Sequence, residues 1–251
     1  MSGPGVVGAA RKPRLVDDAT LERSSVVANN AMNRQRGLTG PNGYARELGF
    51  DPFDFLAARS GTGGDDADAD NTVAWLDLCC GSGRALLEAE RRFADELPEE
   101  RVALVGVDLV DHFLARPRSS RLELVAEPAS AWRPDPGRDF TLITCVHGLH
   151  YVGDKLGLLA AMASWLAPDG RLVADFDPAS IRRLDGGSAA RATVVRLRAA
   201  GLSYDARRHR ITCDGRRSLV FPATYCGADD AAGPGYTGQP AVHSYYDWPR
   251  S

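Results

Sequence analysis

The sequence predicts an open α/β sheet, parallel through most of its width and closed by an antiparallel hairpin, with a helical segment ahead of it. Three observations carry that prediction. Short unbroken apolar runs recur along the chain, amphipathic helical stretches alternate with them, and a Gly-rich turn joins the first run to the first helix. Continuous apolar strands separated by helices belong to a parallel sheet covered on both faces.

The elements follow in chain order. Residues 1–14 hold Gly, Pro and basic residues without periodicity and read as a loose arm. Helix is expected from Ala19 to about Leu38, broken by Gly37, Gly40, Pro41 and Gly43, with a further turn or helix from Leu48 to Leu56. Residues 60–71 (SGTGGDDADADN) read as a solvated linker. This divides the chain into an arm and helical lid (1–59), the linker (60–71) and a main domain (72–251). Thr72–Leu78 is the first buried strand. Arg84–Ala94 follows as a helix with Leu86, Ala89 and Phe93 on one face. Val102–Val107, Leu122–Val125 and Phe140–Val146 are the next strands. Asp154–Leu166 is an amphipathic helix that Pro168-Asp169-Gly170 should end. Leu172–Phe176 is the fifth strand, and Ser188–Ala200 another helix. Tyr204–Cys213 and Arg216–Ala223 flank Asp214-Gly215, a dipeptide suited to a two-residue hairpin turn.

Composition narrows the function. A chain of 251 residues, 44% hydrophobic and 25% charged, can bury a full core. Its formal net charge of −3 sets up no global field for nucleic acid. Lys12 and Lys155 are its two lysines, and the arginines are scattered among matching acids. Five cysteines show no metal-ligand spacing, and Cys145 sits in an apolar run, which points to a reduced, cytoplasmic protein. No apolar run is long enough for a membrane span, and the first thirty residues lack the apolar core of an export signal.

Chemistry concentrates in LDLCCGSGRALLEAE, Leu76 to Glu90. Gly81 and Gly83 let the backbone bend and approach a ligand, and the helix start beyond them favours an anionic group. A dinucleotide site wants G-x-G-x-x-G, but Leu86 stands where the third Gly belongs, and Asp77 would repel a pyrophosphate. The pattern D-x-x-x-G-x-G resembles motif I of the class I S-adenosylmethionine-dependent methyltransferases, and the chain from Thr72 to Pro178 resembles that family's sheet in order and spacing. The resemblance implies a Rossmann-like seven-stranded fold and S-adenosylmethionine as cofactor. It places Asp77, Gly81 and Gly83 at the cofactor's amino-acid end, with the carbonyl of Cys79 serving its amine. Asp108 is the ribose-binding acid, followed by Leu109. Glu127 is the acid for the adenine amino group, beside Pro128, with Ser130 in reserve.

The loop after the fourth strand, Cys145 to Tyr151, should face the sulfonium methyl. His147 and His150 are its candidate bases, against a reading in which they only cap a helix or pack near the cofactor. They lack nearby acids in sequence, so no metal is expected. In small-molecule members of the family an N-terminal segment closes over the cofactor. Here Arg34, Arg36, Tyr44 and Arg46 would supply it, unless that stretch is only a solvated helix face. The tail aromatics either roof the pocket or pack on the sheet edge. The reading is therefore methyl transfer to a small-molecule acceptor at oxygen or nitrogen, in secondary metabolism, with no nucleic acid or membrane partner and a homodimer left open. Its alternatives are a protein or RNA methyltransferase, an inactive cofactor-binding protein and, last, a dehydrogenase.

Overall fold

A computed structural model describes residues 13–28, 36–60 and 72–249. Helix α1 (Asp18–Leu21) is a single turn, capped by Asp17 accepting from the Thr20 amide. The helix expected to run on to Leu38 stops there. Ser24, Ser25, Val26 and Val27 follow, residues whose side chains compete for backbone bonds or lose rotamer freedom in a helix. Residues 29–35, with Arg34 among them, lie outside the described residues.

The apolar group around Leu48 forms two helices rather than one. Gly49, at φ 84°, ends α2 (Tyr44–Leu48), and Pro52 opens α3 (Pro52–Ser60). Ser60, expected to begin the linker, is instead the buried last residue of α3. The rest of that stretch, 61–71, lies outside the described residues.

Beyond it come β1 (Val73–Leu78), α4 (Arg84–Glu96), β2 (Val102–Asp108), β3 (Leu122–Ala126), β4 (Phe140–Cys145), α5 (Lys155–Ser164) and β5 (Leu166–Asp175). Pro168-Asp169-Gly170 lie inside β5 instead of ending the helix before it, because the β4–β5 register shifts between Phe140 and Leu142 and absorbs the extra residues. The chain continues through β6 (Ile181–Arg183), α6 (Ala190–Ala199), β7 (Ser203–Asp205), β8 (Arg210–Asp214), β9 (Thr224–Asp229) and β10 (His243–Asp247).

Seven strands form the main sheet in the order β3-β2-β1-β4-β5-β8-β7. The first five run parallel, while β8 is antiparallel to both β5 and β7. The expected closing hairpin is present, with its turn elsewhere. Residues 206–209 make the turn, not Asp214-Gly215, and Arg216–Ala223 is no strand. β8 is already paired on both edges, so a further strand after Gly215 has nowhere to add. Gly215 instead donates to the Gly170 carbonyl across the start of β5.

Strand alternation sends side chains to two cores. Trp75, Leu104, Leu142 and Val173 pack under α2, α3 and α4, while Leu76, Val105, Ile143, Leu172 and Ile211 pack under α5 and α6. The layer built on α4 therefore includes α2 and α3 as part of one core. A second sheet, β6-β10-β9, was not anticipated from the sequence. Val16 adds an antiparallel bridge to Ala228 of β9, so the first and last described parts of the chain meet. The buried Lys155 Nζ donates to Val152 O at 3.0 Å, Val242 O at 2.8 Å and Ser244 Oγ at 2.9 Å, tying β10 to α5. Among the described residues no helix is long and apolar enough to cross a membrane.

Candidate active site

The strand order reverses between β1 and β4, and the crevice at the carboxyl ends beside such a reversal is where open α/β sheets take ligands. A cavity of about 480 Å³ lies there, within the roughly 300–1,000 Å³ of small-molecule sites. Cys79, Cys80 and Gly81 form one wall, Asp108 and Leu109 the next, then Pro128, Ala129 and Ser130, and residues of the loop after β4, from Val146 to Gly148 and from His150 to Gly153, close the far side.

The Gly-rich bend is held tightly. Gly81 and Gly83 take positive φ (61° and 68°), as does Cys79 at 58°, a conformation that costs a side-chain-bearing residue about 1–2 kcal/mol. The Gly81 amide donates to Asp108 Oδ2 at 2.8 Å, so the ribose candidate also fixes the bend. Gly148 allows the loop after β4 to sit on this turn, since a Cβ there would lie 2.4 Å from Cys79 Cβ.

Beneath the bend runs a buried polar chain. Trp75 Nε1 donates to Thr144 Oγ1 at 2.8 Å, Thr144 donates to Asp77 Oδ1 at 2.6 Å, and Tyr44 OH donates to Asp77 Oδ2 at 2.8 Å. Burial raises the Asp77 carboxyl to about 7 despite these two donors. It likewise pushes the Tyr44 phenol well above its ordinary value, with Asp77 adding to the effect.

At the other end of the cavity stands a charged cluster. His147, itself at φ 60°, donates its backbone N–H to Asp175 Oδ2 at 3.3 Å. Its Nδ1 lies 3.6 Å from Asp175 Oδ2 and its Nε2 3.4 Å from Glu47 Oε1. Arg210 binds Asp175 Oδ1 through Nε at 3.0 Å and Nη2 at 2.9 Å, and reaches Glu47 Oε1 at 3.4 Å and the Glu47 carbonyl. Arg36 pairs with Glu47 Oε2 at 3.2 Å. The hydrogen bond from His147 brings the Glu47 carboxyl down to about 2, with His147, Arg36 and Arg210 also acting by charge. His150 differs. It is buried, its Nε2 has no hydrogen-bond partner among the described residues, and burial lowers its imidazole to about 3.

Sequence spacing suggested that no acids stand near these histidines; the fold overturns this. Donor atoms of Glu47, His147 and Asp175 lie within 4.8 Å of one another. Two guanidinium groups already occupy those carboxylates, so the set suits an ion-pair network and not a divalent cation.

A family model described as a methyltransferase domain matches residues 42–210. The chain belongs to that family. Its fold is that of the class I members, whose methyl donor is S-adenosylmethionine. Among solved structures, the chain is similar to DesVI of Streptomyces venezuelae, with 24% identity over 53% of this chain and 50% of that one and a TM-score of 0.35. It is also similar to CalS10, an amino pentose methyltransferase from Micromonospora echinaspora, at 25% identity over 52% of each chain and a TM-score of 0.32. A third is phosphoethanolamine N-methyltransferase 2 of Haemonchus contortus, at 17% identity over 64% and 35%, with a TM-score of 0.39. The chain spans about half the length of the first two. No curated protein matches it.

Of the site residues expected for this methyltransferase-family chain, the cavity wall holds Arg36, Tyr44, Cys79, Gly81, Asp108, Leu109, Pro128, His147 and His150. Asp77, Gly83, Glu127 and Cys145 are not on it. Asp77 lies behind the wall, Gly83 starts α4, and the Cys145 thiol is buried in a hydrogen bond with that of Cys79. Missed in the sequence were Glu22, Glu47, Asp175, Arg210 and the tail residues Thr237 and Gln239. Asp175 had a readable signal: it ends a parallel strand on the ligand-bearing edge. Tyr236 stacks on His209 at 3.8 Å and meets His150 edge-on at 5.2 Å, while Thr237 and Gln239 beside it line the cavity.

Proposed function

We propose that this chain is an S-adenosylmethionine-dependent methyltransferase that methylates oxygen or nitrogen of a small-molecule acceptor. One observation carries the reading: a single cavity is lined by the Gly-rich bend, Asp108 and His147, and His147 is backed by Asp175 and Glu47. The residues fit the cofactor's chemistry. A bend that only small or left-handed residues allow fits its amino-acid end, Arg36 is a partner for its carboxylate, and Asp108 has acceptor capacity for ribose hydroxyls. When bound, the cofactor supplies an already activated methyl group.

The chain's own work is placement and proton handling. Leu109, Pro128 and Ala129 give an apolar slot for a flat ring. His147 takes the acceptor's proton, and Asp175 and Glu47 stabilise the imidazolium that results. Among the described residues His150 has no carboxylate within ion-pair reach, and burial holds it neutral, so it orients the acceptor instead. The Glu47 side chain must swing from Nε2 for the acceptor to reach it. The cavity's volume of about 480 Å³ favours a small acceptor, in keeping with secondary metabolism; a protein or RNA substrate would want a longer groove.

Calorimetry with S-adenosylmethionine, S-adenosylhomocysteine and NADH tests the cofactor, with heat expected from the first two alone. Transfer of a labelled methyl group to small hydroxyl and amine compounds finds the acceptor. His147→Gln should then lower turnover about 10²–10⁴-fold at unchanged S-adenosylhomocysteine affinity. Full turnover in that variant removes His147 as the base, and label entering only protein or RNA removes the small-molecule reading.

A further inference from the structure

The sequence assigned the adenine-reading acid to Glu127, directly after β3. In the fold Glu127 is not on the cavity wall, and its backbone N–H is used by the Asp108 carbonyl at 2.9 Å. Pro128, next along, has no N–H to offer a ring nitrogen. A different carboxylate stands at this end of the cavity. Glu22, the C-cap of α1, lines it beside Pro128, Ala129 and Ser130, and accepts from Ser130 Oγ at 3.0 Å. It is half-buried, and burial raises its carboxyl above the ordinary value, the Ser130 bond opposing this. Leu21, Val26 and Val27 from the same segment give it apolar neighbours on the wall.

Ser130 orients the carboxylate and uses only part of its acceptor capacity, since an ionised carboxylate has about four lone-pair sites. We infer that Glu22, brought by the N-terminal cover, accepts from the 6-amino group of the cofactor's adenine and makes the site specific for it. The inference rests on the proposed cofactor. A carboxylate in that place also rejects a 6-oxo purine, because two acceptors would then face each other in a half-buried site.

Calorimetry on the full chain with S-adenosylhomocysteine and its counterpart carrying hypoxanthine in place of adenine tests this. Wild type should prefer the adenine compound by about tenfold or more. Glu22→Gln should shrink that preference to about threefold or less, because its amide can turn an N–H toward the 6-oxo group. Ser130→Ala should keep the preference while weakening both ligands slightly. Equal weakening of both ligands in Glu22→Gln, with the preference intact, makes Glu22 only a latch and overturns the inference. Wild type binding both equally overturns it as well, leaving the cofactor reading standing. Wild type binding neither brings down that reading together with this one.

Discussion

Asp77 shows how one side chain couples the binding bend to stability. Its carboxyl is raised from 3.8 to about 7, chiefly by burial. Below about pH 4 it is protonated in both folded and unfolded chains. As pH rises from there toward 7 the unfolded chain ionises first, so the folded state binds more protons and loses stability. Asp77→Asn removes that titration, and its melting temperature should fall less than wild type's between pH 4 and 7. Parallel profiles for the two proteins would show that Asp77 is not the group responsible. Tyr44→Phe tests the same network from outside. Losing the donor at 2.8 Å leaves Asp77 Oδ2 buried with one partner fewer, at a cost of about 1–3 kcal/mol in denaturant unfolding. Legibility at this scale varied with its cause. Asp77, Gly81 and Asp108 could be singled out as candidates because a strand end and a Gly-rich bend are local signals. Glu22 and Arg210 could not, since Glu22 reaches the cavity and Arg210 the acids beside His147 from elements more than fifty residues from the motif. Cys79 was expected to serve through its carbonyl alone; its positive φ and its thiol packed against Gly148 also matter.

At the scale of elements, the site is made where two loops and one short helix press together. Tyr44 and Glu47 lie three residues apart on α2, so one turn of helix sends Tyr44 to Asp77 and Glu47 to His147. Docking of α2 thus sets both ends of the cavity at once. The loop after β4 depends on Gly148. Gly148→Ala would drive a methyl into Cys79 Cβ and the Cys145 thiol, and the turn carrying Cys79 and Gly81 would have to move. Overpacking of this kind costs about 1–3 kcal/mol, and cofactor affinity should fall more than tenfold in calorimetry with S-adenosylhomocysteine. Unchanged affinity in a folded variant would mean the two loops are not mechanically linked. The sequence marked β1 to β4, the second half of β5 and α4 to α6 well because apolar runs and helical periodicity are local signals. It misplaced the hairpin turn, because Asp214-Gly215 has turn chemistry, while pairing of β8 on both edges is a property of the whole sheet.

Across the molecule, the first and last described segments form one cover. Val16 pairs with Ala228, Leu21 packs with Ala228 and Val242, and Tyr225 OH donates to Asp18 Oδ1 at 2.6 Å. Lys155 binds the other side of this cover to α5, where the loop bearing His150 ends. Such bridging was invisible in sequence because its partners are separated by nearly the full chain. Its consequence is that opening the cavity requires the N-terminal segment to lift from β9, a motion that leaves the seven-stranded sheet whole. Tyr225→Phe removes one hydrogen bond of the seam, a loss of about 0.5–1.5 kcal/mol. For a chain of this size that lowers the melting temperature by only a few degrees. Cofactor release should respond more, because a bound ligand leaves only when the seam parts: the off-rate of S-adenosylhomocysteine in stopped flow should rise about threefold to tenfold, with the association rate nearly unchanged. An unchanged off-rate in a variant whose melting temperature has dropped would mean that the cover is scaffold, and that the ligand leaves by another mouth of the cavity.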